Sequence, residues 1–269
     1  MDDLIQRLLR DGYAFMDPVA PALRAPAVDA ARRMFALPVE RRCAFHQPEW
    51  GGMAGYQFGD PNELYVDDEP VSEYWHVVRE RPGGLSNRWP LPDVEAPLMA
   101  WMDARERFGL AVLDGLSEAL GEPGALRRWT EGGYAMLRLI RYPPGPEVVP
   151  HTALRASEHV DAGLLSLYDG GTSPGLELFM DGEWREVPTG RAVVAAGEVL
   201  TTASGGRVPG ALHRVVYPGA SADERWSLPF FLNPRLDQPM HALGQALQGG
   251  ERSYGELLRE RTGWGLVDA

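Results

Sequence analysis

The fold is decided by residues 158–169, which read EHVDAGLLSLYD. This run belongs to a series of short β-branched or aromatic-rich segments that follow Gly133 and are separated by Gly, Pro and Asp. The other segments read YAMLRLIRYPP, LELFMDGEW, RAVVAAGEVLTT, ALHRVVYP and RWSLPFFLNP. Several strands at regular spacing, with turns between them, predict a sandwich or barrel rather than βαβ units. We therefore expect a mainly β protein with flanking helices and an antiparallel jelly-roll core.

Helical periodicity is concentrated in the first half of the chain. Apolar residues recur at helical spacing before Gly12, again before Pro38, and most extensively between Pro92 and Gly121, where the longest helix is predicted. The segment GYAFMD reads as a strand, GGMAGYQFGD as a loop, and SYGELLRERTG as a C-terminal helix. We expect one domain, with a mostly helical part over 1–133, the jelly-roll core over 134–240 and the C-terminal helix within 241–269.

Composition and charge exclude several classes of partner. The chain has 269 residues, of which 44% are hydrophobic, and a formal net charge of −12. Charge of this sign repels nucleic-acid phosphates and anionic membranes, so neither is expected as a partner. The single cysteine, Cys43, cannot form an intramolecular disulfide, and no apolar run reaches the ~18 residues of a membrane span. Because the N-terminus also lacks signal-peptide features, we expect a cytoplasmic protein, with its oligomeric state left open.

Three potential metal ligands lie within the predicted core. His159 and Asp161 are two apart in a predicted strand, where alternate side chains point to one face. A third, His213, lies on another predicted strand, ALHRVVYP. Two histidines and one carboxylate on one face of a metal leave three coordination positions open, which is the arrangement of non-haem Fe(II) oxygenases. Zinc accepts the same ligand types, but usually in a tetrahedral site with one open position.

A second constellation follows in the segment ERWSLPFF. Arg225 and Ser227 share a face by the same strand parity. A guanidinium beside a hydroxyl suits a carboxylate, which it binds through charge-assisted hydrogen bonds. Next to a metal with open positions, we expect this carboxylate to be the distal one of 2-oxoglutarate, whose keto-acid end would chelate the metal.

The whole pattern resembles the isopenicillin N synthase-like branch of the 2-oxoglutarate/Fe(II)-dependent dioxygenases. The resemblance runs from about Tyr134 to Asp237 and includes the two constellations above and the connecting segments GLELFMDGEWREVP, AAGEVL, HRVVYP and LPFFLNP. It implies a double-stranded β-helix and Fe(II) held by His159, Asp161 and His213. It also implies that 2-oxoglutarate and O₂ are consumed as co-substrates while a small molecule, typically one of specialised metabolism, is oxidised.

The resemblance has one departure that bears on the co-substrate. The family commonly has an asparagine and a tyrosine, two apart, on the strand that enters the barrel. Here RLIRYPP supplies Tyr142, a candidate 2-oxoglutarate residue, but Ile140 stands at the asparagine position. One contact to 2-oxoglutarate is therefore missing or replaced. Because Asp161 is a carboxylate rather than a small residue, halogenation is not expected. Hydroxylation is the leading outcome, with desaturation, cyclisation and epimerisation left open.

Strand parity also indicates candidate substrate residues. If Tyr142 points into the barrel, Arg138 on the same strand does so too, and it could bind a substrate carboxylate or other anion. Phe231 shares a face with Arg225 and could form an apolar wall. The strand EYWHVVRE offers Tyr74 and His76, although a buried hydrogen bond from His76 to loop backbone is the favoured alternative.

Three alternatives from other classes stay open. The nearest is an Fe(II) oxidase of the same fold that does not use 2-oxoglutarate, as in isopenicillin N synthase and aminocyclopropane-carboxylate oxidase, and succinate formation would discriminate. A non-catalytic binding protein could keep the pocket, but the intact set of metal ligands argues against it. A cupin-like hydrolase or isomerase using Zn or Mn would leave Arg225 and Ser227 without a task.

Overall fold

Two antiparallel sheets form the jelly-roll core of the protein. The computed structural model describes residues 1–58, 65–66, 69–70, 72–80, 84–144, 154–217 and 223–263. The large sheet has the strand order β1-β11-β8-β14-β6-β5-β2, with β13 also pairing with β6, and the small sheet has the order β10-β9-β12-β7. The strands are β1 (Tyr13–Met16), β2 (Gly55–Phe58), β3 (Tyr65–Val66), β4 (Glu69–Pro70), β5 (Glu73–Val78), β6 (Ala135–Tyr142), β7 (Leu154–His159), β8 (Leu165–Tyr168), β9 (Leu176–Met180), β10 (Glu183–Glu186), β11 (Ala192–Ala196), β12 (His213–Val216), β13 (Arg225–Ser227) and β14 (Phe230–Leu232).

The described residues form seven α-helices, and the longest of them packs directly on the large sheet. They are α1 (Asp2–Asp11), α2 (Arg24–Phe35), α3 (Val39–Cys43), α4 (Glu95–Leu120), α5 (Ala125–Thr130), α6 (Glu198–Ala203) and α7 (Tyr254–Thr262). The longest, α4, buries an apolar face that includes Leu98, Trp101 and Leu113, and it contacts β6, β8 and β14. Burying this face removes a wide apolar stripe from water, which is what stabilises an amphipathic helix against a sheet.

The helix ends follow local chemistry. Helix α1 ends at Gly12, which has φ of 77° and lies so close to Pro209 that a Cβ would approach its carbonyl oxygen to 2.0 Å. Only glycine tolerates both conditions, so the turn into β1 depends on it. Helix α7 is capped by Ser253, whose side chain accepts from the backbone N–H of Glu256 while the Glu256 carboxylate accepts from the backbone N–H of Ser253. Such a capping box fixes where the helix begins.

The predicted helices and most predicted strands are confirmed, with corrections where tertiary pairing overrides local pattern. The segment GGMAGYQFGD, predicted as loop, contains β2. The backbone hydrogen bonds of this strand come from pairing with β5, and a glycine-rich sequence does not predict that pairing. The segment RAVVAAGEVLTT is a strand only to Ala196, and α6 follows because Val199, Leu200 and Ala203 bury one helical face. RWSLPFFLNP divides into β13 and β14 at Pro229, which has no N–H for the ladder.

The part of the chain predicted to be mostly helical also contributes strands to the core. Strands β1, β2 and β5, all before residue 133, belong to the large sheet, and β5 pairs along its whole length with β6. Among the described residues, no helix combines the length and the apolar character needed to cross a membrane.

Candidate metal centre

The three predicted ligands converge at one end of the small sheet. His159 is the last residue of β7 and His213 the first of β12, and the two are Cα partners in the antiparallel pairing. Their ring centroids are 4.2 Å apart. Asp161 lies beyond the end of β7, so the prediction that it shares a strand face with His159 was wrong. The chain turns after His159 and brings the carboxylate to the imidazoles: Asp161 Oδ1 is 3.6 Å from Nε2 of His159 and 3.9 Å from Nε2 of His213.

Backbone carbonyls fix which nitrogen of each imidazole faces the centre. Nδ1 of His159 donates to the Ser157 carbonyl at 2.7 Å, and Nδ1 of His213 donates to the Ala211 carbonyl at 3.0 Å. With the proton held on Nδ1, each Nε2 carries the lone pair that a metal needs. One ligand atom from each of the three residues lies within 4.8 Å of the others, so the set fits a single metal ion.

Electrostatics prepare Asp161 and His213 for a cation. Burial by itself would raise the pKa of the Asp161 carboxyl, but the two imidazoles and the Ser166 hydroxyl outweigh it and hold the pKa well below its usual range. Burial, followed by the neighbouring His159, lowers the pKa of His213 to about 4. Near neutral pH the centre therefore presents a carboxylate and a neutral imidazole, which are the forms that bind metals.

A cavity of about 580 Å³ opens over these ligands. Its volume lies within the usual range of small-molecule sites. Strand β6 contributes alternate residues to its wall, and the face-sharing predicted for this strand is observed. The residues from β6 are Met136, Arg138, Ile140 and Tyr142. Helix α7 closes part of another side with Tyr254 and Leu258, two residues one helical turn apart that sequence reasoning did not select.

The second predicted constellation lies in the same cavity. Arg225 and Ser227 both line it, and on β13 they are the Cα partners of Tyr142 and Ile140. The Arg225 side chain is 1% exposed, its Nε donates to the Ser173 carbonyl at 3.1 Å, and its guanidinium carbon is 5.0 Å from the centre of the Tyr142 ring. Burial lowers the pKa of Arg225, which nevertheless stays a cation near pH 7.

One atom of Arg225 tests whether 2-oxoglutarate fits. Its Nη1 is buried with no hydrogen-bond acceptor in the described structure. A buried, unsatisfied guanidinium N–H is costly, and an incoming carboxylate would satisfy it. The adjacent turn is built around the same group: a Cβ on Gly171, which has φ of 73°, would lie 2.7 Å from Nη2 of Arg225. The residues present therefore fit a carboxylate at this end of the cavity.

Arg155 is a buried residue near this end that sequence reasoning missed. It is 1% exposed, and its Nη2 donates to the Pro143 carbonyl at 2.9 Å, while its Nε has no acceptor in the described structure. Its guanidinium carbon lies 5.4 Å from the centre of the Tyr142 ring, so Tyr142 contacts the cations of both Arg155 and Arg225. No local signal in ALRASEH distinguishes this arginine from a surface residue.

The candidate substrate residues divide into two groups. Arg138, Tyr74 and Phe231 line the cavity. The Arg138 guanidinium carbon lies 5.2 Å from the centre of the Tyr74 ring and 5.0 Å from that of Phe231, so aromatic rings orient the cation. His76 is not among the lining residues; it is 1% exposed and its Nδ1 bonds the Gly52 carbonyl at 2.8 Å. The alternative of a buried hydrogen bond to loop backbone is thus the geometry observed.

Two further polar residues of β8 belong to the centre. The hydroxyls of Ser166 and Tyr168 both donate to Oδ2 of Asp161. Tyr168 also lies 2.9 Å, through its hydroxyl oxygen, from Nε2 of His213. Part of the signal was present in residues 158–169, because Ser166 and Tyr168 are two apart on one predicted strand and therefore share a face.

Similarity to known proteins agrees with this geometry. Residues 133–234 match the model of the 2OG-Fe(II) oxygenase superfamily. The chain is 27% identical over 253 residues to the 2-oxoglutarate-Fe(II) type oxidoreductase hxnY of Emericella nidulans, a match covering 86% of this chain and 72% of that protein.

Two solved structures are similar over nearly the whole chain. A 2OG-Fe(II) oxygenase family protein from Caulobacter crescentus is 28% identical, with a TM-score of 0.80 and coverage of 97% of this chain and 92% of that one. A full-length protein of Neurospora crassa, solved in complex with alpha-KG, gives a TM-score of 0.81 at 22% identity, covering 97% of this chain and 88% of that one. At that lower identity the similarity shows the fold alone.

Proposed function

We propose that this chain is an enzyme of the 2OG-Fe(II) oxygenase superfamily that hydroxylates an anionic small molecule at iron held by His159, Asp161 and His213. The general activity is that of a 2-oxoglutarate- and Fe(II)-dependent dioxygenase. The proposal adds the residues, the reaction outcome and the character of the substrate. We also propose that the chain belongs to the isopenicillin N synthase-like branch and acts in specialised metabolism.

One observation carries the proposal: the three metal-ligand residues and Arg225, whose buried Nη1 has no acceptor among the described residues, line one cavity. A metal with open positions and a separate carboxylate-binding end are what a keto acid with a distal carboxylate requires. When bound, Fe(II) and 2-oxoglutarate react with O₂ and supply the oxidant for a substrate C–H bond. The side chains of the protein contribute by positioning the co-substrate and the substrate.

The chain's own residues bind, orient and exclude water. Arg225 and Ser227 hold the distal carboxylate of 2-oxoglutarate, with Tyr142 beside it, and thereby direct the keto-acid end toward the histidines. Burial of Arg225 strengthens this interaction because little water competes for the guanidinium. Ile140, at the position where the family commonly has asparagine, gives the co-substrate an apolar neighbour instead.

Substrate binding is assigned to other residues of the cavity wall. Arg138 anchors a carboxylate or another anion, and Phe231 and Tyr74, which flank its guanidinium, contact the apolar body of the substrate. A cation held between aromatic rings loses little side-chain freedom when it binds an anion, so the anchor is preorganised. Because a guanidinium does not release its proton in proteins, Arg138 acts by orientation and not by proton transfer.

The same-fold oxidase that does not use 2-oxoglutarate is not favoured. Relatives described as 2-oxoglutarate-dependent match most of the chain, and Arg225, in the same cavity as the metal ligands, keeps an N–H with no acceptor among the described residues. We further propose one oxygenase domain over 1–269, since strands from both sides of residue 133 pair in one sheet. A reducing, cytoplasmic location and the absence of nucleic-acid or membrane partners are proposed from the lone Cys43 and the acidic charge.

The first test is an anaerobic titration of metal-free protein with Fe(II) and 2-oxoglutarate. We expect the weak visible charge-transfer band of a chelated keto acid in the parent, and its loss in His159→Ala. Succinate release that a candidate carboxylic acid stimulates would then identify substrates. Iron binding without the band would overturn the assignment of 2-oxoglutarate to this cavity and would favour the oxidase that dispenses with it.

A further inference from the structure

We propose that Tyr168 is a positioning residue of the metal centre, which together with Ser166 restrains Asp161 to coordination through a single oxygen and so keeps the last position on iron open. The inference rests on the proposed function, because it assumes iron at His159, Asp161 and His213. It concerns residues outside the metal ligands and outside the 2-oxoglutarate-binding end of the cavity.

The two oxygens of Asp161 are used differently. Oδ1 faces the imidazoles, 3.6 Å from Nε2 of His159 and 3.9 Å from Nε2 of His213. Oδ2 accepts hydrogen bonds from the hydroxyls of Ser166 and Tyr168. A carboxylate oxygen that accepts two hydrogen bonds has less electron density to offer a metal, and it is held in place by both donors. Only Oδ1 is therefore available for iron.

The number of carboxylate oxygens that Asp161 provides to iron decides whether a coordination position stays open for O₂. Two imidazole nitrogens, one carboxylate oxygen and the two donor atoms of a chelating keto acid would fill five positions on a six-coordinate iron and would leave one position open. If both carboxylate oxygens coordinated, all six positions would be filled. By keeping Oδ2 away from iron, the hydrogen bonds from Ser166 and Tyr168 would keep the coordination position for O₂ open.

Metal binding makes the hydrogen bond from Tyr168 to Asp161 unambiguous. The phenol has one proton and two acceptors nearby, since its oxygen is also 2.9 Å from Nε2 of His213. That nitrogen is an acceptor because the other ring nitrogen donates to the Ala211 carbonyl. When iron takes the lone pair of His213, Oδ2 of Asp161 is the remaining acceptor for the phenol. The restraint is then strongest in the loaded protein, where it is needed.

Packing holds the phenol in this position. The Tyr168 side chain is buried, its ring centroid lies 5.2 Å from that of His213, and it meets the Phe231 ring edge-on at 6.4 Å. Strand β8, which carries it, pairs with β11 on one side and β14 on the other. A side chain fixed on a central strand can orient a ligand more accurately than one on a loop.

The test uses variants that remove single hydroxyls while keeping shape. They are Tyr168→Phe, Ser166→Ala and the double variant. The matched control is Tyr56→Phe, which also deletes a buried phenol–carboxylate hydrogen bond, from Tyr56 to Glu73 at 2.5 Å, but in a residue that does not line the cavity. Each protein is loaded anaerobically with Fe(II) and 2-oxoglutarate and titrated with nitric oxide, a diatomic probe of the open position, followed by electron paramagnetic resonance.

We expect the parent and Tyr56→Phe to bind nitric oxide equally per bound iron. Tyr168→Phe should bind it about tenfold more weakly, the scale seen when hydrogen bonds to a metal ligand are removed, and the double variant more weakly still. Because the signal is normalised to bound iron, loss of fold stability does not produce this result. Equal binding in the parent and the double variant overturns the inference, as does an equal loss in Tyr56→Phe. Failure of the parent to form the iron–keto acid complex would instead defeat the proposed function.

Discussion

Arg138 and His76 are joined by a 3.0 Å hydrogen bond in which the arginine Nε–H donates to Nε2 of the imidazole. The two residues are Cα partners across β5 and β6. Nδ1 of His76 donates to the Gly52 carbonyl, so the ring is a neutral tautomer with both nitrogens used. His76 therefore orients Arg138, the proposed substrate anchor, and does not itself line the cavity.

This relationship predicts how stability depends on pH. Burial, reinforced by Arg138, lowers the pKa of His76 well below its usual value, so the folded protein keeps the ring neutral while the unfolded chain binds a proton. The stability contributed by the neutral ring is full above the unfolded pKa of ~6.5 and is lost as pH falls below it, by up to about 1.4 kcal/mol per pH unit. Urea unfolding of metal-free protein at pH values between about 7 and 5.5 measures this loss of stability. The free energy of unfolding of His76→Gln should fall less steeply over the same range than that of the parent. Identical slopes would contradict the prediction.

Arg225 should discriminate between keto acids. Arg225→Met removes the cation for the distal carboxylate, and we expect 2-oxoglutarate to bind the iron-loaded protein about 100-fold more weakly, because charge-assisted hydrogen bonds contribute about 1.5–3 kcal/mol each. Pyruvate has the chelating keto-acid end without the distal carboxylate and serves as the matched ligand. We expect pyruvate to bind the parent and Arg225→Met with the same affinity, measured from the visible charge-transfer band of the chelated keto acid. A parallel loss for both keto acids would mean that Arg225 acts through the fold.

Arg155 should separate ligand affinity from stability. Arg155→Met removes a buried cation whose Nε lacks an acceptor in the described structure, and replaces it with an apolar chain of similar length. Because an incompletely paired buried charge is costly, we expect the free energy of unfolding to stay constant or rise. The affinity for 2-oxoglutarate should fall, by roughly fivefold, since one positive charge beside Tyr142 is lost. Calorimetric titration and urea unfolding measure the two quantities; a fall in both would show that Arg155 is structural.

Glu73 is predicted to be the most stability-sensitive carboxylate of the large sheet. It is 4% exposed and accepts from Arg42 at 2.6 Å, from Arg141 at 2.6 Å and from the Tyr56 hydroxyl. Glu73→Gln leaves the buried Arg42 cation poorly compensated, so we expect a loss of about 3–5 kcal/mol in the free energy of unfolding.

The control for that variant is Glu224→Gln. Glu224 also pairs with Arg141, at 2.6 Å, but its side chain is 36% exposed. We expect this change to cost less than about 1 kcal/mol because solvent screens the pair. Similar costs for the two variants in chemical unfolding would show that burial does not set the contribution of this network.

Strand parity predicted the cavity wall well where a strand runs without interruption. Arg138 and Tyr142 both line the cavity as β6 requires, and Arg225 and Ser227 do so on β13. For Asp161 the predicted convergence with His159 is observed although the stated reason is wrong, because the carboxylate lies past the end of β7. Ligand convergence at such a turn depends on backbone geometry that periodicity does not describe.

Contacts between elements could not be derived from one sequence. The bond between His76 and Arg138 depends on the register of β5 against β6, and the approach of Arg155 to Tyr142 depends on where β7 lies relative to the end of β6. Register is set by the whole sheet and by turn geometry, and a slip of one residue would turn His76 to the opposite face. Residue types could therefore be selected in advance, but not the pairs that they form.

The first strand of the chain has a practical consequence for handling the protein. Strand β1 is the outermost member of the large sheet, with Tyr13 to Met16 paired against β11. A shortened version that starts after Met16 would leave the backbone of β11 open to pairing with other molecules, which is a common origin of insoluble product. Cloning designs that trim the amino-terminal helix should therefore retain β1, and a purification handle placed there needs a spacer long enough to leave that pairing undisturbed.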